Sequence, residues 1–343
     1  MNIDFDPHTI DKRVQNEINY FLKDEPTLKK DVEYVYKIGV PDRPKAYLML
    51  QFANVLGIEQ KRIMPFVIVA DLMMAAAMND DDIIDDNPER CGKPSLWKIR
   101  GANSTIIVTG YMYALIFSIL KRYRPNTNEP DFVAYQRSEN LLVDYFRVMN
   151  IGQYRTTISA ASLKRFTLKD LEKLATQKAS LLFEFCSAVP AYFAKKYVKD
   201  LEDFGYQLGI VRQYVSDAHD FLEVPPEYDY NKKGVNGDNA RMEDYFTHQP
   251  NLILILTGTS DKLSTTEKTW FYKNWTNPIP QKNRVAVTKQ VIALVRKTNA
   301  INGAKGVLKK IREKLKKSLE SLPDEDFRKY ITAWAFRSFP LDR

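Results

Sequence analysis

The chain has 343 residues, 44% of them hydrophobic, with 13 Gly, 2 Cys and a formal net charge of +8. Such a length buries a large core in one big domain or two ordinary ones, and few Gly beside abundant Leu, Ile, Ala, Lys and Glu argue for helix and against a β-sandwich or a Gly-rich dinucleotide fold. Two cysteines without CxxC spacing exclude a disulfide framework and predict a reducing, cytoplasmic setting; the start MNIDFDPHTIDKR lacks the apolar core of a secretory signal.

Helical periodicity runs almost throughout, and strand alternation is nearly absent. Helices are expected over 8–24 and 27–37, before a break at Gly39-Val40-Pro41-Asp42. Pro44 opens a helix that Gly57 closes, the usual order of those two residues at helix ends. Pro65 opens the next, which runs into an acidic cluster and stops at Asn87-Pro88. Later helices are expected over 102–122, 130–159, 167–196, 198–223, 239–257, 264–275, 284–300, 304–321 and 324–336, with one longer loop from Pro225 to Gly237.

Residues 102–120 are uncharged and approach the roughly 20 residues of a membrane span. Asn103, Ser104, Thr105, Thr109 and Ser118 dilute the run, so a buried helix is predicted and no stable membrane span. The stretch Lys305–Lys317, KGVLKKIREKLKK, is a basic amphipathic helix whose plainest reading is a solvated outer face. No repeat, low-complexity tract or linker marks a boundary, which predicts one all-α domain over 1–343. Zinc spacings, a P-loop, GxGxxG and GxSxG are absent, and the 3 His are scattered. The positive charge suits an anionic partner without choosing among nucleic acid, acidic membrane and phosphorylated substrate.

The chemistry gathers in Asp71–Pro94, DLMMAAAMNDDDIIDDNPERCGKP, where an apolar run meets Asp80, Asp81, Asp82, Asp85 and Asp86. On a helix Asp81 and Asp85 stand at i and i+4, and Asp82 faces Asp85 and Asp86. Stacked like charges need either solvent or a divalent cation, and Mg2+ with oxygen ligands and retained waters suits this spacing. A calcium loop fits worse, because its Gly and closing Glu are out of register. Residues 208–224, LGIVRQYVSDAHDFLEV, repeat the pattern with Asp217 and Asp220 at i and i+3 and Gln213 a turn earlier. Two carboxylate helices of this kind are expected to face one another across a cavity and hold metal between them.

DDIID at 81–85, followed after four residues by Arg90-Cys91-Gly92-Lys93-Pro94, resembles the first aspartate-rich motif of the trans-isoprenyl diphosphate synthases, and GIVRQYVSDAHD at 209–220 resembles the second. Gly152-Gln153 and Gln177-Lys178-Ala179 match two further landmarks, so the similarity spans roughly residues 39 to 240, with the farnesyl diphosphate synthases nearest. The resemblance implies the class I terpenoid synthase fold, a helical bundle around a central active-site cavity, and a homodimer. It implies Mg2+, three ions in the family, ligated by Asp81, Asp82, Asp85, Asp217 and Asp220, with an allylic prenyl diphosphate as substrate and no nucleic acid. Arg90 and Lys178 would grip the diphosphate, Gln213 would line the site and Lys233 would join from the following loop. Asp81, Asp85 and Lys178 would be catalytic.

The second substrate of the family, isopentenyl diphosphate, loses its anchors. The family's Gly-Gly-Lys-x-x-Arg reads Ile38-Gly39-Val40-Pro41-Asp42-Arg43, so of its two basic residues only Arg43 remains for substrate binding. Met74 replaces a His or Gln and Cys91 an Arg, and neither makes charge-assisted contacts to phosphate. Ser216 stands where the second motif has a ligating Asp, which puts the third ion in doubt. Small Ala76 and Ala77 at the chain-length positions favour a C15 or C20 substrate. The expectation is an enzyme that ionises an allylic diphosphate, foremost a terpene synthase derived from such a synthase. The alternatives are a prenyltransferase using another acceptor, an ordinary prenyl diphosphate synthase, and a non-catalytic regulatory partner of one.

Overall fold

Pro7 opens α1 (Pro7–Phe21), with Asp6 as N-cap accepting the amide of His8, and Pro26 opens α2 (Pro26–Gly39). The computed structural model describes residues 6–39, 42–221 and 242–337; Val40, Lys233 and the loop from Pro225 to Gly237 lie outside them. There follow α3 (Pro44–Val55) and α4 (Gln60–Ile84), then two-residue strands β1 (Glu89–Arg90) and β2 (Lys93–Pro94), then α5 (Leu96–Arg100), α6 (Ala102–Tyr123) and α7 (Phe132–Thr157). A 3-10 segment (Ala160–Arg165) leads to α8 (Leu168–Ala175), a π-helical turn (Thr176–Ser180), α9 (Leu181–Ala194) and α10 (Val198–His219). The C-terminal part holds α11 (Glu243–Phe246), α12 (Leu252–Thr259), α13 (Thr265–Trp275), α14 (Arg284–Thr298), α15 (Ala300–Lys317) and α16 (Glu325–Ala335).

The all-α expectation holds, and four local departures have local causes. Helix α4 begins at Gln60, not Pro65, because a proline one turn into a helix forfeits a single backbone bond. The helix expected over 167–196 is interrupted by the π turn at 176–180. The one expected over 239–257 is cut at Asn251, whose extended backbone and side-chain oxygen cap the amides of Ile253 and Leu254 to start α12. The β1–β2 hairpin, with no alternation to announce it, is set by its turn: Cys91 (φ 51°) and Gly92 (φ 72°) are both left-handed, as a tight two-residue loop requires.

The described residues cluster into two compact units. One comprises the chain to Val143 together with Leu182–Glu202; the other comprises Asp144–Leu181, the chain from Asp203 to 221, and 242–337. In the first, α4 is the central helix, packed by α2, α3 and α6, and Phe66 meets the rings of Tyr135, Phe185 and Phe193 at 4.6, 6.1 and 5.9 Å. Helices α4 and α6 are both long and apolar enough to cross a membrane; the apolar window of α4 is 78% buried in protein, as befits a core helix, whereas that of α6, expected to be a buried helix, is 44% buried. In the second, α12 packs against α13, α14 and α15, and Tyr245, Phe271, Tyr272 and Trp275 form an aromatic cluster.

Candidate active site

The apolar run of α4 ends in its acidic last turn, where the Asp85 amide donates to the Asp81 carbonyl at 2.8 Å, so the two carboxylates stand one turn apart, both partly exposed. This is the negative end of the helix macrodipole, with no basic residue in the last turn. Carboxylates placed there are doubly unfavourable, and a cation between them relieves both terms. Their neighbours are occupied differently: Asp80 accepts the Tyr113 hydroxyl at 2.9 Å, and burial raises its pKa.

Asp82 is 1% exposed and is held by Arg90, whose Nε and Nη2 donate to its Oδ1 at 2.9 and 2.6 Å. The tight Cys91-Gly92 turn folds Arg90 back over α4, where its Nη1 also meets the Met78 sulfur at 3.3 Å. Burial pushes the Asp82 pKa up and outweighs the bonds from Arg90; its Oδ2 is buried without a partner. Cys91 is partly exposed, and burial raises its thiol. Thus Arg90, predicted to grip diphosphate, and Asp82, predicted to bind metal, are paired to each other.

On the side expected to hold isopentenyl diphosphate, Arg43 is 3% exposed. Its Nε donates to Asp11 at 2.8 Å, its Nη1 to the Tyr36 carbonyl at 3.0 Å, and its guanidinium lies 3.8 Å from the centre of the Tyr36 ring. Met74 is partly exposed, Ala76 is buried and Ala77 partly exposed.

In the other unit Lys178 sits on the π turn, a wide-turn geometry frequent at functional sites. Two glycines let helices close on that turn: a Cβ at Gly209 of α10 would lie 2.2 Å from the Ser180 Cα, and one at Gly152 of α7 would lie 2.8 Å from the Gln177 Cβ. Arg155 donates to Gln177 Oε1 at 2.9 Å, and Thr176 and Tyr206 share a hydroxyl bond of 2.9 Å, which holds the two residues before Lys178.

The second carboxylate pair lies at the C-terminal end of α10. Asp217, 1% exposed, accepts Gln213 Nε2 at 2.9 Å and the Leu252 amide at 2.8 Å. Burial and then the charge of Asp244 raise its pKa, and Gln213, the Leu252 amide and the Lys178 ammonium draw it back. Asp220 accepts the Asp244 amide at 3.1 Å, while Asn251 Nδ2 donates to Asp244 at 2.8 Å and to the Asp217 carbonyl at 3.0 Å. Ser216 is exposed. Sequence reasoning missed the Asp244–Asn251 clamp; the signal was a Pro-Asn pair before the apolar LILIL, which reads as a helix N-cap.

Among the described residues no three His, Cys, Asp or Glu side chains form a metal-holding group. Mg2+ keeps several waters and is commonly held by one or two carboxylates together with substrate phosphates. Asp81 and Asp85 fit that donor set; Asp217 and Asp220 already accept backbone amides.

Residues 25–241 match the family model described as polyprenyl synthetase, and the chain belongs to that family. It is 22% identical over 207 residues to the geranylfarnesyl diphosphate synthase of Methanosarcina mazei, covering 59% of this chain and 65% of that one. To the preasperterpenoid A synthase PvPS of Talaromyces verruculosus it is 24% identical over 164 residues, covering 48% of this chain and 20% of that one. The chain therefore spans less than two thirds of the length of these two curated relatives. A geranylgeranyl pyrophosphate synthase crystal structure superposes with a TM-score of 0.80 at 16% identity over 97% of this chain and 98% of that one, which gives the all-α isoprenoid synthase fold.

Proposed function

We propose that this protein is a Mg2+-dependent enzyme that ionises an allylic prenyl diphosphate, of C15 or C20 length, and quenches the cation without isopentenyl diphosphate, as a terpene synthase does. The observation that carries this is the state of Arg43. It is the one basic anchor left for a second diphosphate, and its guanidinium is buried against Asp11, the Tyr36 carbonyl and the Tyr36 ring. Met74 and Cys91 offer no charge in compensation.

Asp81 and Asp85 are the proposed metal ligands; Mg2+ there would offset charge developing on the departing pyrophosphate. Lys178, held by the π turn, contacts the diphosphate, and Arg90 orients the site through Asp82 while presenting its remaining edge to phosphate. Asp217, Asp220 and Gln213 contribute charge and shape, their helix one carboxylate short at Ser216. Lys233 is assigned to the diphosphate by resemblance alone. Residues 1–343 are assigned to one catalytic domain, in a reducing cytoplasm where Cys91 and Cys186 stay free thiols.

A second reading, ordinary chain elongation, is favoured by the likeness to the geranylfarnesyl diphosphate synthase. One experiment separates the two. The protein is incubated with Mg2+ and farnesyl or geranylgeranyl diphosphate, with and without isopentenyl diphosphate, and pyrophosphate and organic products are followed together. The expected result is pyrophosphate release with a hydrocarbon or alcohol product that isopentenyl diphosphate does not alter, abolished by EDTA and by Asp81→Ala or Asp85→Ala. Efficient elongation at micromolar isopentenyl diphosphate would replace the first reading with the second, and full turnover in EDTA would overturn both.

A further inference from the structure

The +8 charge of the chain is not spread along it. Residues 282–317 carry 12 Lys and Arg against one carboxylate, Glu313, so this segment is +11 and the remainder of the chain −3. The segment includes the pair α14 and α15, joined at Asn299, whose left-handed backbone (φ 60°) ends one helix and starts the next in a single residue. The apolar stripes of both helices are buried, Val291 and Leu294 on α14 and Leu308, Ile311 and Leu315 on α15, and both helices pack on α12.

What remains outside is basic. Lys309, Lys310, Lys314, Lys316 and Lys317 of α15 are exposed, as are Lys289 and Arg296, two turns apart on α14. Glu313 takes Lys316 at 3.0 Å and Arg312 at 3.7 Å; Lys309, Lys310, Lys314 and Lys317 have no carboxylate partner among the described residues. Lys310 and Lys314 stand at i and i+4, a like-charge spacing that weakens a helix, so the fold itself does not call for this composition.

The segment contains no Phe, Tyr or Trp, in a chain that is 12% aromatic. It therefore lacks the stacking platform that single-stranded nucleic acid uses, and with its apolar stripes turned inward it has nothing to insert into a bilayer. Ammonium groups on flexible stems, spread over two adjacent helices, match diffuse negative charge at a surface. We infer that the α14–α15 face docks this protein on anionic phospholipid bilayers, electrostatically and without insertion. The attraction acts within a Debye length of the headgroups and weakens with salt. It rests on the charge distribution alone and is independent of the reaction catalysed.

The test is co-sedimentation of the full chain with vesicles of phosphatidylcholine, and of phosphatidylcholine with about 30 mol% phosphatidylserine, at about 0.05 M and about 0.5 M salt. Binding is expected only to the anionic vesicles and only at low salt. Replacing Lys309, Lys310, Lys314 and Lys317 together by Gln should weaken it at least about tenfold with Tm unchanged. The same substitution at Lys12, Lys23, Lys30 and Lys98, exposed residues of the other unit, should leave it intact. Equal binding to neutral vesicles, no binding to anionic ones, or equal losses in the two variants would overturn the inference. So would tighter binding to a single-stranded oligonucleotide than to anionic vesicles, which would reassign the face to nucleic acid.

Discussion

Arg90 and Asp82 hold each other where neither would be stable alone. Asp82 is buried and Arg90 nearly so, hence removing the guanidinium leaves a desolvated carboxylate, a loss of roughly 3 kcal/mol or more. Arg90→Met should lower Tm well beyond what a surface change does, and adding Asp82→Asn should recover most of the fall, as thermal melts of the two variants would show. If Arg90 served only substrate, both melts would match wild type. Asp71 makes a different statement. It is buried, accepts the Ala46 amide at 3.2 Å and leaves Oδ2 without a partner; burial lifts its pKa to about 7, and Arg43, the Ala46 amide and Lys45 moderate the rise. Its folded pKa lies above the unfolded value of about 3.9, so the stabilisation from protonation is complete below about pH 4 and is lost as pH rises to about 7. Wild type should thus lose Tm relative to Asp71→Asn between about pH 4 and 7, and then run parallel to it. A constant difference across that range would mean that Asp71 does not titrate there.

At the scale of elements, the π turn and the two glycines beneath it form the support for Lys178. Gly209→Ala drives a methyl into the Ser180 backbone, which no side-chain rotation relieves. It should cost stability and most of the activity. Gly306→Ala on α15, where nothing lies within 4 Å, should stabilise by up to about 1 kcal/mol and serves as the control. The helices themselves were legible because their apolar stripes repeat at helical spacing, and the family because DDIID and GIVRQYVSDAHD are long motifs. The π turn was not legible: TLKDLEKLATQKASLLFEF has unbroken helical periodicity, and the extra width of the turn comes from the helices that press on it. Nor was the Arg90–Asp82 pairing, since eight positions of sequence separation give no hint of the left-handed Cys91 that brings them together.

For the whole molecule, α6 leaves Ile106 and Ile107 exposed at 56% and 69%, and α7 leaves Val133 and Val143 exposed at 71% and 46%. Less than half of the apolar window of α6 is buried within the chain. These side chains are where the second copy of the chain that the family resemblance implies is expected to pack. Light scattering during size exclusion should give a dimer, and Ile107→Glu a monomer whose helix content is unchanged. A wild-type monomer at tens of micromolar would remove that expectation.

Neither unit is a single run of chain, and this fixes an order of events at the ribosome. The first unit lacks Leu182–Glu202 until long after Val143 has emerged, and that late piece supplies Phe185 and Phe193, two of the three rings that meet Phe66. At synthesis rates of roughly 5 to 20 residues per second, the wait for about 60 residues lasts roughly 3 to 12 s. Throughout it α4 already has α2, α3 and α6 to pack on, but its Phe66 face lacks the two rings of the late piece. Nascent chains arrested between 143 and 202 should therefore be the stage at which chaperones engage this protein and at which truncated products aggregate.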